Sequence, residues 1–97
     1  MLRHIALFRW SESTTDDDVA AIEDGLRGLP SAIAEIRAFR FGRDAGISEG
    51  AFDFGVVADF DSTEDYVVYR DHPTHTAFIA ECIAPHRAER AFIQYEY

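Results

Sequence analysis

The chain begins with a run of alternating residue types between Leu2 and Trp10. Because side chains of a strand point alternately to the two faces of a sheet, this run predicts a strand over residues 2–10. Both faces have apolar residues in their middle, so we expect both faces to be covered in the folded protein. The two faces are Leu2, His4, Ala6, Phe8 and Trp10, and Arg3, Ile5, Leu7 and Arg9.

The next segment changes to a helical repeat. Hydroxyl residues at 13–15 followed by aspartates at 16–18 are typical of a helix start, because they cap free N–H groups and complement the helix dipole. Residues 28–30, Gly-Leu-Pro, predict the helix end. Consecutive aspartates on one turn point in different directions, which favours capping over metal binding. The apolar repeat is Val19, Ile22, Leu26 and Leu29.

Three further strands and a broken helix complete the pattern. Strands are predicted over residues 36–41, 52–60 and 91–95, each rich in apolar or aromatic residues. A short helix begins near Ser62 with a capping signal, and His72-Pro73 breaks it because the residue before proline disfavours helical geometry.

A second helical piece follows from Pro73 to about Ala84, since proline suits a first helical turn. Spacings of three, four and seven residues predict that His75 shares an inward face with Phe78, Ile79 and Cys82. A histidine at such a position is either a hydrogen-bonded core residue or the acid/base of a pocket, and both interpretations stay open.

The order β-α-β-β-α-β predicts an α+β, ferredoxin-like single domain over residues 1–97. Its four-stranded antiparallel sheet would carry the helices on one face only. The apolar second face then needs a cover, and the simplest cover is the same face of another copy related by a two-fold axis. We therefore expect a homodimer through the sheet face, a dimeric α+β barrel.

Composition excludes several classes of activity. All nine basic residues are Arg and the net charge is −9, which argues against nucleic-acid binding. Without Lys no Schiff base can form, and no glycine-rich phosphate loop or GxSxG motif is present. The single cysteine excludes an internal disulfide. No apolar run is long enough for a membrane span and no secretory signal is recognisable, so we expect a cytoplasmic protein without a membrane partner.

Four short motifs resemble the Dabb family, the stress-responsive dimeric α+β barrel domains. They are the histidine-bearing strand over residues 2–8, the helix end over 25–30, the Gly-Arg-Asp turn at 42–44 and the YxxHPxH segment over 69–75. In this order and at this spacing they cover essentially the whole chain. The resemblance implies the barrel fold, the homodimer and no cofactor.

The same resemblance implies a candidate site. The family includes a plant polyketide cyclase of the olivetolic acid type, and its catalytic histidine and partnering tyrosine match His75 and Tyr69 here. Its first-strand histidine matches His4. Phe54 stands where it has a further histidine, and His86 falls near one of its aromatic residues. The expected substrate-binding residues are His4, Phe8, Leu26, Phe54, Phe78 and His86, around a small apolar or aromatic ligand.

Three functions stay open at this point. The protein is a small-molecule-binding or structural member of a stress-responsive family, or a polyketide cyclase or lyase with His75 as base. The third option is a cofactor-free monooxygenase, which Trp10 and the phenylalanines would permit. A metal site through His72, His75 and His86 is disfavoured because the spacing is unlike that of helical zinc ligands.

Overall fold

A computed structural model describes residues 1–97, and its elements follow the predicted order. Four strands and two helical segments follow one another as β-α-β-β-α-β, with the second helical segment divided into three pieces. The elements are β1 (Leu2–Trp10), α1 (Asp16–Ala32), β2 (Ala38–Arg43), β3 (Phe54–Phe60), α2 (Thr63–Asp71), α3 (Pro73–Phe78), a π-helical turn (Ile79–Ile83) and β4 (Arg87–Glu96).

The sheet has the order β2-β3-β1-β4, and every neighbouring pair is antiparallel. The helices pack on one face, which confirms the predicted ferredoxin-like α+β fold. Strand β1 lies between β3 and β4, while β4 pairs with β1 alone and leaves its other edge free. None of the helices is both long and apolar enough to cross a membrane.

The predicted helix starts are present as capping interactions. The Thr15 side chain accepts from the Asp18 N–H at 3.1 Å, and the Asp18 carboxylate accepts from the Thr15 N–H at 2.9 Å. Helix α1 nevertheless continues through Pro30 to Ala32, so the predicted end at residues 28–30 is wrong. Proline in the last turn removes only one helical hydrogen bond, and burial of Ile33 holds the remaining turn in place.

Strand boundaries differ from the sequence prediction because pairing partners decide them. Strand β2 spans residues 38–43 rather than 36–41, and β3 begins at residue 54 rather than 52. Strand β4 begins four residues earlier than predicted, because β1 offers it a partner along its whole length. This earlier start brings residues 87–90 into the sheet.

The third helical piece widens into a π turn, closed by the Ala84 N–H donating to the Ile79 carbonyl at 2.8 Å. The wider turn shifts the inward face by one residue. Ile83 is 1% exposed, whereas Cys82 is only half-buried at the margin of the core. The predicted face is therefore correct for Phe78 and shifted at Cys82. Single π turns are frequent near functional sites.

The core lies between the helices and the sheet, and the opposite sheet face is open. Apolar side chains of β1, β3 and β4 form this open face, with Leu7 36% and Ile93 58% exposed. The register places Ile5 between Val57 and Ile93, so these apolar positions are contiguous. The largest fully buried side chains on the other side are Phe54, Phe60, Ile22, Leu29, Ile33 and Ile83.

Candidate functional site

A cavity of about 420 Å³ lies between the helical layer and the sheet, and 13 of its 19 lining residues are hydrophobic. Its size is within the range of small-molecule sites in proteins. Six residues predicted from the sequence share its wall. They are His4, Phe8, Leu26, Tyr69, His75 and Phe78.

Two predicted lining residues lie elsewhere. Phe54 is 2% exposed and packs in the core against Trp10 and Phe41, because its strand position is covered by other aromatic rings. His86 lies near the start of α1, where its Nδ1 is 3.4 Å from the hydroxyl of Thr14. The turn before β4 directs it there, so neither Phe54 nor His86 lines this cavity.

The ring of His75 is held by a hydrogen bond to the backbone just before the helix break. Its Nδ1 lies 3.0 Å from the backbone carbonyl of Arg70, which can only accept, so Nδ1 carries the hydrogen. Nε2 is then the basic nitrogen, and it has no hydrogen-bond partner within the chain. Burial lowers the pKa of His75, and the nearby His72 acts in the same direction. The imidazole is therefore neutral and ready to accept a proton at pH 7.

Tyr69 contacts the His75 ring directly, with ring centroids 4.2 Å apart. The tyrosine is 3% exposed, and its hydroxyl makes no hydrogen bond to another protein group. That hydroxyl is not sealed in the core, since no fully buried side-chain oxygen lacks a partner. Burial raises the pKa of Tyr69, so the hydroxyl keeps its proton and remains a donor.

His4 supplies a second neutral imidazole from β1. Gln94 on the neighbouring strand donates its amide N–H to His4 Nδ1 at 2.8 Å, which leaves the hydrogen on Nε2. Burial and the nearby His75 lower the pKa of His4 to about 4. The two cavity histidines therefore have opposite tautomers, with a basic Nε2 on His75 and a donor Nε2 on His4.

Sequence reasoning missed the basic residues of the cavity. Arg70, Arg87 and Arg90 all contribute to the wall, together with the half-exposed Phe92. The alternation of Arg90, Phe92 and Gln94 would have revealed Arg90 if the last strand had been extended towards its start, whereas Arg87 reaches this wall only through an irregularity in the pairing of β1 with β4. No three His, Cys, Asp or Glu side chains come together in an arrangement able to hold a metal ion.

The fold and the cavity define a class of protein: a ferredoxin-like α+β protein with an apolar cavity under its helices. Residues 2–97 match the family described as the stress responsive A/B barrel domain, Dabb, and the chain belongs to this family. The family resemblance seen in the sequence is thereby confirmed. No curated protein matches the chain.

Solved structures show the same architecture. A dimeric ferredoxin-like protein of unknown function from Thermobifida fusca is 44% identical, with a TM-score of 0.92, and the match covers 99% of this chain and 90% of that one. A Dabb family protein from Mesorhizobium loti is 25% identical, with a TM-score of 0.84 and coverage of 99% and 95%. The hydroxynitrile lyase of Passiflora edulis is 19% identical, with a TM-score of 0.86 and coverage of 97% and 90%. This last likeness shows the fold alone.

Proposed function

We propose that this protein is a cofactor-independent lyase or cyclase that removes a proton from a small, mostly apolar, enolisable substrate. One observation carries the proposal: the His75 ring, whose Nε2 has no partner, packs against the Tyr69 ring, whose hydroxyl also has none, on the wall of an apolar cavity. A base and a donor held together in a largely apolar site are what proton abstraction next to a carbonyl requires.

The roles follow from the protonation states. His75 accepts the proton from carbon through Nε2. Its Nδ1–H remains hydrogen-bonded to the Arg70 carbonyl, and this bond keeps the ring oriented. Tyr69 donates a hydrogen bond to the developing enolate oxygen. His4 is the second donor, because its lowered pKa keeps it neutral and Gln94 fixes the hydrogen on Nε2. The mostly apolar walls lower the local dielectric constant and so strengthen these interactions.

The proposal is tested by proton exchange rather than by one guessed reaction. Wild-type protein is incubated in D₂O with 2-acetylnaphthalene and phenylacetone, and loss of the α-proton signals is followed by NMR. We expect His75→Gln to lower the exchange rate by about 100-fold or more, the usual contribution of a general base. The exchange rate of the wild type should be at its plateau by pH 7, because the His75 pKa is lowered.

Two matched variants make the result specific. Tyr69→Phe should slow exchange by about tenfold or more through loss of one donor, whereas His86→Gln, which removes a histidine outside the cavity, should leave the rate unchanged. Equal exchange rates for wild type and His75→Gln would refute the role of His75 as the base. Ligand binding without any exchange by the wild type would instead favour a binding protein. Mandelonitrile cleavage belongs in the same panel, because one structural neighbour is a hydroxynitrile lyase.

We also propose that two copies associate through the open sheet face. The Thermobifida fusca protein is described as dimeric, and the contiguous apolar positions of β1, β3 and β4 here support the same arrangement. Burial of such a face in a symmetric contact is the simplest way to remove it from water.

Light scattering tests this assembly. We expect a mass twice the 11.0 kDa of one chain, and a shift to the monomer mass in Leu7→Glu/Ile93→Glu, because burying two added carboxylates from each copy in an apolar contact is costly. Val68→Glu is the matched control, since Val68 is an exposed apolar residue on α2 rather than on the sheet. A monomeric wild type, or a dimer that survives both substitutions, would refute the sheet-face contact.

A further inference from the structure

The sheet contains a register shift that brings two arginines to the same face. Arg90 pairs with Phe8 and Arg87 pairs with Trp10, with an irregularity between Arg9 and Trp10. Arg87 and Arg90 are three residues apart, and in a regular strand such residues point to opposite faces of the sheet. Their partners Trp10 and Phe8 are two residues apart and point to the same face. The extra residue in β4 acts as a β-bulge, which is a common way to redirect a side chain next to a site.

We call Arg87 and Arg90 the arginine pair. Neither has the carboxylate partner that most arginines of this chain have. The three arginines without a carboxylate within ion-pair distance are Arg40, Arg87 and Arg90, and the arginine pair supplies two of them. The six that pair with a carboxylate are Arg3, Arg9, Arg27, Arg37, Arg43 and Arg70. Acidic residues outnumber basic ones by 18 to 9, so unpaired guanidinium groups need an explanation.

Neighbouring carboxylates do not neutralise the arginine pair. Glu89 lies opposite Arg9 in the register and pairs with it at 2.7 Å, on the other face of the sheet. Arg70 also lines the cavity, but Asp71 binds it through two hydrogen bonds of 2.9 and 3.1 Å. Positive charge without a protein counterpart is therefore concentrated at the β4 side of the cavity.

The rest of this wall is apolar and accessible. Phe92 is 57% exposed, and the Arg90 guanidinium lies 5.2 Å from the centre of its ring. Arg90 is opposite Phe8, and Gln94 is opposite His4, so Arg90 lies roughly 13 Å along the strand from His4 and Arg87 lies further away. Apolar surface thus separates a cationic end of the cavity from its proton-transfer end.

We propose that the arginine pair is an anion subsite that binds the carboxylate of an amphipathic ligand, whose aromatic or aliphatic body lies along the apolar wall. Guanidinium groups suit this role because they present several donors to the two oxygens of a carboxylate. This inference deepens the proposed function by giving the substrate class, an organic acid with its reactive carbonyl at the far end. The subsite is on the helix side of the sheet, so a second copy on the open face leaves it free.

Calorimetry with matched acids and amides tests the subsite without turnover. The probes are 2-naphthoate and 4-phenylbutyrate, each compared with its neutral amide at pH 7. We expect the wild type to bind at least one acid about tenfold or more tightly than its amide. Arg87→Gln/Arg90→Gln should reduce this ratio to about one and leave amide affinity nearly unchanged. Arg27→Gln/Arg37→Gln removes the same charge outside the cavity and should keep the preference.

The outcomes separate this proposal from the proposed function. A wild type that prefers neither acid overturns the subsite, as does a preference that persists without the arginine pair. His75→Gln should retain the acid preference, so a protein that fails the exchange assay can still pass this one. If the double variant does not fold, Arg90→Gln alone is used, because Arg90 is exposed and its loss disturbs no buried contact.

Discussion

The protonation of His4 offers a quantitative test of the cavity's electrostatics. The pKa of His4 is lowered from 6.5 to about 4, mainly by burial and further by His75. The unfolded chain therefore binds a proton at this residue between pH 6.5 and 4, while the native protein does not. The resulting contribution to the free energy of unfolding is complete above pH 6.5. It is lost as the pH falls towards 4, and below that pH no more is lost.

The magnitude follows from the size of the shift. Each unit of pKa difference corresponds to about 1.4 kcal/mol, so the His4 contribution falls by about 3 kcal/mol between pH 7 and pH 4. At pH 5 the loss is already about 2 kcal/mol. Asp59 and Asp18 have pKa values below 3.8, so they contribute their own losses at lower pH.

The assay compares wild type with His4→Gln, whose amide is neutral at every pH. Free energies of unfolding are measured in urea from pH 7 to pH 4, at one protein concentration because association would change the apparent stability. We expect the difference between the two proteins to change by about 3 kcal/mol over this range, with the wild type losing more. Losses from the carboxylates are common to both proteins and cancel.

Two results would refute this reasoning. A difference between wild type and His4→Gln that stays constant with pH would show that His4 titrates alike in the folded and unfolded chain. An NMR titration of the folded protein with a His4 midpoint near 6.5 would lead to the same conclusion. Either result would also show that burial does not lower the pKa of His4.

Two further predictions concern the packing around the cavity. A Cβ at Gly25 would lie 2.7 Å from Cδ1 of Phe78, so Gly25→Ala should destabilise the protein by about 1–3 kcal/mol in urea unfolding. A Cβ at Gly28 would meet no atom within 4 Å, so Gly28→Ala should stabilise the protein by about 0.5–1 kcal/mol. Equal effects of the two substitutions on stability would contradict the close approach of Phe78 to Gly25. Because the π turn buries Ile83 rather than Cys82, Ile83→Ala should lower the free energy of unfolding by about 2–5 kcal/mol and Cys82→Ala by clearly less. A lower urea midpoint for Cys82→Ala than for Ile83→Ala would contradict the shifted face.

Local features of this protein could be predicted from the sequence because they depend on neighbouring residues. The alternation from Leu2 to Trp10 matches β1 at both ends, and the capping residues Thr15 and Ser62 begin α1 and α2. The His72-Pro73 break is also where the structure ends one helix and starts another. These signals, together with the element order, were sufficient for the fold.

Part of the cavity was predictable for the same reason. His4 and Phe8 share a strand face by alternation, and Phe78 follows His75 by three residues on a helix. Phe54 illustrates where this reasoning fails, since strand alternation places it on the correct face but does not say which ring covers it. Its neighbours Trp10 and Phe41 come from distant parts of the chain.

The remaining features depend on contacts between segments far apart in the chain, and only the tertiary structure decided them. Gln94 on β4 selects the tautomer of His4 on β1, which no residue spacing can specify. The register between β1 and β4 places Arg87 beside Arg90, because a bulge belongs to a pair of strands rather than to either sequence. The amino-acid sequence by itself determined the order of the strands, the helix starts and most inward faces, whereas packing decided the strand bounds and which polar groups meet in the cavity.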